Sequence, residues 1–396
     1  MFFNTSPLMH YLRSYFLTAQ KIIEQYSGEM PLGAFLKNYF SKEKKYGSRD
    51  RKMIASLCYN YFRLGVSLQT KTTEEKLLTG LFLLSNTSND FLEEKAKQWN
   101  QKVTYSIDEK AQIAGVDLES IFPFNQELSD GIDAVELNRF FLTQPNLFIR
   151  IRPGKNDIVK TKLQARNIIF TKINPQCLSF ANGTKLENIL AINNDAVIQD
   201  MNSQRVSDMF ALMSLPERAK VWDCCAASGG KSIMAYDFIP GISLWVSDIR
   251  PYIINNLQKR LKEAAIKNYK SFVADMTNAG KLKQEIDSQI FDLIICDAPC
   301  SGSGTWGRTP EQLIFFKEKE IASFSKMQTE IVLNAVPYLK KGGYMLYITC
   351  SVFKKENEDI AAHITANTSL QLIKKEILKG YNDKADTMFA ALFQSQ

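Results

Sequence analysis

Residues 219–249 read AKVWDCCAASGGKSIMAYDFIPGISLWVSDI. The opening AKVWDCC is strand-like and ends on two cysteines. A turn of small residues with a Gly-Gly pair leads into a helical stretch, GGKSIMAYDFI, and a second strand, SLWVSDI, follows. Strand, helix and strand in that order form the unit of a parallel sheet, whose neighbouring strands need a long crossover. Small residues in the turn let the backbone approach a ligand closely, and the helix start offers free N–H groups. The turn is not a Walker A loop, because Cys225 stands where the first Gly is required, and it is not Gly-x-Gly-x-x-Gly. Taken alone it is also compatible with an ordinary strand-to-helix turn.

The alternation continues downstream. RPYIINNLQKRLKEAAI is an amphipathic helix, SFVADM a strand and GKLKQEID a short helix. FDLIICDAP is a strand, and residues 310–339 are helical up to Pro337 and a Gly342-Gly343 turn. YMLYITC is a strand and KENEDIAAHITAN a helix, while LQLIKKEIL and MFAALFQ are expected to close the sheet as antiparallel strands. This pattern predicts an α/β fold, a parallel sheet with helices on both faces. Such sheets bind ligands outside the carboxyl ends of their strands. Cys224/Cys225, Asp248, Asp275, Asp297/Cys300 and Cys350 fall at five predicted strand ends, which marks an active site without naming its chemistry.

Upstream the character changes. The first ~100 residues carry apolar residues at helical spacing, as in LGAFLKNYF and RKMIASLCYNYFRLG. Between them lies SKEKKYGSRDRK (41–52), with Arg49 and Arg51, either a solvated loop or a phosphate-contacting one. Ser48 is a candidate N-cap for the helix that follows. Residues 106–145 are mixed, with turn signals near Pro123 and Gly131. NLFIRIRPG then alternates as a strand and leaves Arg150 and Arg152 available for solvent or a ligand. The helical NDIVKTKLQARN and the strand-like IIFTKI, CLSFA and AVIQD complete a small α+β unit.

Bulk properties narrow the function classes. A length of 396 residues suggests two to three domains, and 45% hydrophobic with 23% charged residues is ordinary for a globular chain. The net charge of +7 weakly favours a polyanionic partner. No apolar run approaches the ~18 residues of a membrane span. The start, MFFNTSPLMHYLRSYF, lacks the plan of a signal peptide, so a cytoplasmic location with no membrane partner is expected. The seven cysteines are odd in number, contain no Cys-x-x-Cys and fit no disulfide framework. With only His10 and His363 present, a His-rich metal site is excluded and no metal is expected. A Ser-His-Asp triad is equally unpromising, so an enzymatic nucleophile would be a thiol.

Individual residues suggest a nucleoside ligand. Asp248 ends the second strand about 20 residues after the turn, where an acid hydrogen-bonds ribose hydroxyls. Asp275 either accepts from an adenine amino group or caps the next helix. In DAPCSGSGTWGRTPE, Asp297 can accept from an exocyclic amine and Pro299 offers an apolar edge. Arg308 could hold a phosphate or a structural carboxylate.

Together these stretches resemble the RsmB/NOP2/Sun (Fmu) family of S-adenosylmethionine-dependent RNA cytosine-5 methyltransferases. The carriers are QDMNSQ (199–204), DCCAASGGKS (223–232), SDIRPYIINNLQKRL (247–261), VADMT (273–277), DAPCSGSGTWGRTPE (297–311), YITCSV (347–352) with ENED after it, and ADTMFAAL (385–392). The resemblance covers 30–396 and implies a Rossmann-like class I methyltransferase domain over 206–396. It further implies a helical NusB-like RNA-binding domain over 1–140 and a small ferredoxin/RRM-like α+β subdomain over 141–205. Cys350 is then the nucleophile, Cys300 assists product release, and Asp297 binds the base and adjoins the cofactor. Cys225, Ala226, Ala227, Ser228, Gly229, Gly230, Lys231, Asp248 and Asp275 hold S-adenosylmethionine. Arg49, Arg51, Arg150, Arg152 and Arg308 grip RNA, with ribosomal RNA favoured over transfer RNA, and the chain is expected to act as a monomer. Ser228 departs from the family's Pro in the cofactor turn, so the turn is less preorganised and a modest effect on cofactor affinity is expected. Two other readings compete: a non-catalytic RNA-binding or ribosome-assembly factor that retains the fold, and a DNA cytosine methyltransferase using Cys300.

Overall fold

The computed structural model describes residues 7–396. The first six residues of the stretch read above for a leader lie outside the described residues. The chain forms two compact units: residues 1–126, 133–144 and 306–317 make one, and 127–132, 145–305 and 318–396 the other.

The first unit is helical. Its helices include Pro7–Gln25, Leu32–Lys42, Ser48–Phe62 and Thr73–Leu84. Ile22, Leu32, Leu36, Ile54, Leu57, Phe62 and Leu77 are buried at the helical spacing seen in the sequence. Ser48 is the first helical residue rather than the cap. Gly47 holds the cap position, and the Asp50 carboxylate accepts from the Gly47 N–H at 2.8 Å. The segment Trp306–Lys317, which the sequence reading placed with the sheet, belongs to this unit. Trp306 packs on Phe122 and Phe316, Phe315 on Tyr26, and Glu311 accepts from the Leu32 N–H at 2.9 Å. Aromatic burial therefore draws the segment away from its sequence neighbours.

The second unit holds two sheets. The smaller contains β1 (Leu147–Ile151), β2 (Thr171–Lys172), β3 (Cys177–Phe180) and β4 (Ala196–Ile198) in the order β2-β3-β1-β4. Ile149 and Ile151 face a core shared with Val159 and Leu163 of the helix Asn156–Gln164. Arg150 lies on the opposite face. It is not available to solvent or ligand: it is 2% exposed and its guanidinium pairs with Asp237 at 2.6 Å and donates to Gln199 at 2.9 Å. Arg152 also pairs with Asp237, at 2.6 Å. Both expected RNA contacts are thus structural, because a buried guanidinium must be paired to offset its desolvation.

The larger sheet contains β5 (Lys220–Asp223), β6 (Ser243–Asp248), β7 (Tyr269–Val273), β8 (Phe291–Asp297), β9 (Leu339–Thr349), β10 (Leu370–Leu378) and β11 (Met388–Ser395). Its order is β10-β11-β9-β8-β5-β6-β7. β5 to β9 run parallel, and β10 and β11 close the edge antiparallel. Both faces are apolar: Val221, Leu244, Val246, Leu293 and Ile295 face one core, and Trp222, Trp245, Ile294 and Cys296 the other. Two covered faces explain the near-continuous apolar runs of these strands. This is a Rossmann-like, doubly wound arrangement. Gly342 and Gly343 do not form a turn ahead of β9 but a bulge inside it, where pairing steps two residues along β8 and five along β9. Chain order reverses between β5 and β8, and a doubly wound sheet opens a crevice at such a reversal.

Candidate active site

A cavity of about 520 Å³ opens at the carboxyl ends of the parallel strands. After β5 it is lined by Cys224, Cys225 and Ala227; at the end of β6 by Asp248, Ile249 and Arg250; after β7 by Ala274, Asp275, Met276 and Thr277. β8 contributes Asp297, Ala298, Pro299 and Cys300, and Cys350 follows β9. Met327 and Ile331 come from the helix Lys319–Ala335. The five strand ends singled out in the sequence therefore converge on one space.

The turn after β5 supports this wall more than it lines it. Ala226 is buried, and its N–H reaches the Ser247 carbonyl at 2.9 Å. Gly229 has φ of 82°, which favours glycine, and a Cβ there would also have to displace the Leu257 methyl 2.2 Å away. The Ser228 carbonyl accepts from Arg260. Gly230 starts the helix Gly230–Phe238. The Lys231 ammonium, almost wholly buried, donates to Ser203 at 2.7 Å and to Asp297 Oδ2 at 3.2 Å. Lys231 thus acts on Asp297, and QDMNSQ supplies the hydroxyl that completes the arrangement.

Asp248 accepts from the Arg250 side chain at 2.8 and 3.0 Å, from the Arg250 N–H and from the Ala227 N–H. Burial opposes its charge, but these bonds outweigh burial and hold the carboxyl below its usual range. A ribose would share this carboxylate with Arg250. Asp275 accepts from the N–H and hydroxyl of Thr277 at the edge of the cavity, and it does not cap the next helix: Asn278 does, accepting from the Lys281 N–H.

The two thiols expected to act together lie 3.3 Å apart, Sγ to Sγ. The bond with Cys350 and burial push the Cys300 thiol well up, so Cys300 keeps its proton. One buried carboxylate ties the two cysteine loops together. Glu356 accepts from the Ser301 N–H (2.9 Å) and the Gln328 amide (2.9 Å) on one oxygen, and from the Ser351 hydroxyl (2.8 Å) on the other. Asn357 adds bonds to Thr349 and the Ser351 carbonyl. Glu356, Gln328, Ser203 and Arg250 were not assigned roles from the sequence. ENED and QDMNSQ were visible as motifs, but nothing in their spacing says which loop each side chain reaches.

Residues 210–392 match the family model of the 16S rRNA methyltransferase RsmB/F. That match covers 183 of the chain's 396 residues. Similar curated proteins include the ribosomal RNA small subunit methyltransferase B of Yersinia enterocolitica, 29% identical over 45% of this chain and 40% of that protein. The protein of the same name from Xylella fastidiosa is 30% identical over 41% and 37%. The chain thus spans about 40% of the length of these curated relatives. Among solved structures, PH0851 superposes with a TM-score of 0.69 at 17% identity, over 97% of this chain and 98% of that one. A methyltransferase homolog protein from Pyrococcus horikoshii gives 0.56 at 18% identity, over 68% and 92%. At such identity the likeness speaks for the fold.

The predicted RNA contacts separate. Arg49 is exposed on the helical unit. Arg51 donates to the Tyr46 carbonyl at 2.8 Å, and Arg308 is half-buried in the same unit. Among the described residues no helix is long and apolar enough to cross a membrane.

Proposed function

We propose that the chain transfers a methyl group from S-adenosylmethionine to carbon 5 of a cytosine in RNA, with ribosomal RNA the substrate class. One observation carries this reading. Two thiols from two different strand ends meet at 3.3 Å on the wall of a cavity whose other strand ends carry Asp248, Asp275 and Asp297. The names of the curated relatives support ribosomal RNA as the substrate. The helical unit, as a NusB-like domain, and the four-stranded sheet, as an RRM-like subdomain, would add RNA-binding surface.

S-adenosylmethionine would be held by the turn Cys225–Gly230 with Asp248 and Asp275, Lys231 acting through Asp297, and it supplies an electrophilic methyl group. The cavity suits it chemically: carboxylates stand at the strand ends for hydroxyl and amino groups, and Ile249, Met276 and Ile331 offer an apolar wall.

Carbon 5 of cytosine is too weak a nucleophile to be methylated unaided. The Cys350 thiolate adds to carbon 6, and the ring electron pair shifts so that carbon 5 becomes an enamine carbon. Asp297, fixed by Lys231 and Ser203, takes the amino edge and ring nitrogen of the base. After methylation, carbon 5 gives up its proton to a base, the electron pair returns to the ring and the bond to Cys350 breaks. Cys300, still protonated beside the Cys350 sulfur, assists this release. The target base must be unpaired or flipped out to enter.

The test is methyl transfer from labelled donor to RNA from cells lacking the gene, with DNA as control. Label is expected in RNA alone, and none with Cys350→Ala. An active Cys350→Ala chain overturns the nucleophile assignment, and label in DNA overturns the substrate.

A further inference from the structure

Beside the cavity lies a thiol cluster of which the proposed reaction uses only Cys225, in the cofactor turn. The sulfurs of Cys224, Cys225 and Cys296 all lie within 4.8 Å of one another. We propose that these three thiols bind one thiophilic divalent metal ion of the zinc type, with its fourth position open to the cavity.

The donor set is three soft sulfurs with no oxygen ligand, which selects zinc or cadmium over magnesium or calcium. Three sulfurs at ~2.3 Å from a tetrahedral zinc lie about 3.8 Å apart. The observed spread, within 4.8 Å, is about 1 Å wider than that at most. The backbone is already fixed. The Cys224 N–H donates to the Ile295 carbonyl, next to Cys296, at 3.0 Å. The Cys224 carbonyl accepts from the Ser247 hydroxyl at 3.0 Å, and that hydroxyl takes the Trp222 indole N–H. Cys296 is buried in β8 and Cys224 is buried one residue past the end of the parallel neighbour β5, while Cys225 is partly exposed. Cys224 and Cys225 line the cavity, so an ion there faces it. Three protein ligands and one open position is the pattern of a zinc site that accepts an outside ligand. Binding releases thiol protons, so it strengthens as pH rises. A metal was not expected from the sequence because it has only two His and no Cys-x-x-Cys. Cys58 and Cys177, by contrast, are isolated core cysteines.

An ion at this cluster would sit beside the turn proposed to hold S-adenosylmethionine. Resting on that reading, it would antagonise the cofactor.

The experiment uses the full chain, reduced and metal-free, titrated with cadmium alone. The sulfur-to-cadmium charge-transfer absorption is expected to saturate at one equivalent. The Cys300→Ser/Cys350→Ser chain, which leaves the proposed ligands untouched, is expected to retain the full signal. Cys296→Ala is expected to weaken binding on the order of 10²-fold. X-ray absorption of the wild-type chain with one equivalent of zinc should show three sulfurs at ~2.3 Å. Loss of the signal in the Cys300→Ser/Cys350→Ser chain, or fewer than three sulfurs in the shell, overturns the site. Calorimetry with S-adenosylhomocysteine then tests the antagonism, with affinity expected to fall at least about tenfold on zinc loading. Unchanged affinity overturns the antagonism alone. Absence of binding by the metal-free chain overturns the proposed cofactor and leaves the metal site standing on its own readout.

Discussion

Gly304 lies where three segments of the catalytic sheet meet, and its replacement by Ala should disable the site without touching a reacting atom. Its N–H donates to the Cys350 carbonyl at 2.9 Å, and its carbonyl accepts from the Thr387 N–H at 3.0 Å. A Cβ at this position would sit 1.9 Å from the Thr387 carbonyl oxygen and 3.0 Å from that of Cys350. Ordinary contact begins near 3.4 Å, so the new methyl is about 1.5 Å too close to main chain on one side. No flexible side chain can yield, and the loop carrying Cys300 must move away from the loop carrying Cys350. Two backbone hydrogen bonds at about 1 kcal/mol each and overpacking of about 1–3 kcal/mol put the destabilisation at roughly 3–5 kcal/mol. A shift of about 1 Å between reacting groups costs on the order of 10²-fold in rate. The contact touches none of the residues proposed to hold the cofactor, so affinity for the cofactor should stay within about twofold. Single-turnover methyl transfer, calorimetry with S-adenosylhomocysteine and urea unfolding measure the three quantities separately. A Gly304→Ala chain with wild-type rate and stability would refute the claim that this contact sets the thiol geometry.

Three further outcomes follow from the same structure. Glu356→Ala strands the Ser301 N–H, the Gln328 amide and the Ser351 hydroxyl, at about 1–3 kcal/mol for each buried donor left unmet; a loss below about 1 kcal/mol in urea unfolding would contradict the network. Burial pushes the Asp223 carboxyl from 3.8 up to about 7, so the folded chain binds an extra proton between those values. That contribution is fully present below the lower value and is lost as pH rises through the upper one. Stability relative to Asp223→Asn should therefore fall by up to ~4 kcal/mol across this window, and parallel pH profiles would refute it. RNA binding should weaken steeply with salt, and Arg49→Ala should lower the log–log slope by about 1. Arg150→Ala should leave that slope alone and cost roughly 3–5 kcal/mol of stability, because it leaves Asp237 short of a buried partner.

The fold was legible where pattern alone decides it. Strand and helix alternation from residue 219 onward, and the antiparallel closure by MFAALFQ, both follow from periods of hydrophobicity that local sequence carries. The convergence of Cys225, Asp248, Asp275, Asp297, Cys300 and Cys350 followed from the rule that parallel sheets bind at their carboxyl ends. What stayed hidden depends on long-range packing. Alternation in NLFIRIRPG reports that Arg150 faces away from Ile149, but not that Asp237 waits on that side. The Gly342-Gly343 pair reads as a turn, and only pairing with β8 reveals a bulge. Trp306, in the Gly-rich stretch after Cys300, and Phe315, in the expected helix, look like parts of the sheet domain until the aromatic cluster that claims them is seen. Lys231 was assigned to the cofactor from its place in the turn, whereas its ammonium is spent on Asp297 and Ser203.

The central claim is that Cys350 attacks the base. It is tested most directly by trapping the adduct on the unaltered chain. In RNA whose cytosines carry fluorine at carbon 5, no proton is available to leave that carbon after methylation, so the bond to the thiol cannot break by the proposed route. The wild-type chain, incubated with this RNA and S-adenosylmethionine, then digested and analysed by mass spectrometry, should yield a methylated nucleotide bonded to the peptide containing Cys350. A nucleotide bonded to Cys300 instead, or no bonded peptide from a preparation that methylates ordinary RNA, would contradict the account.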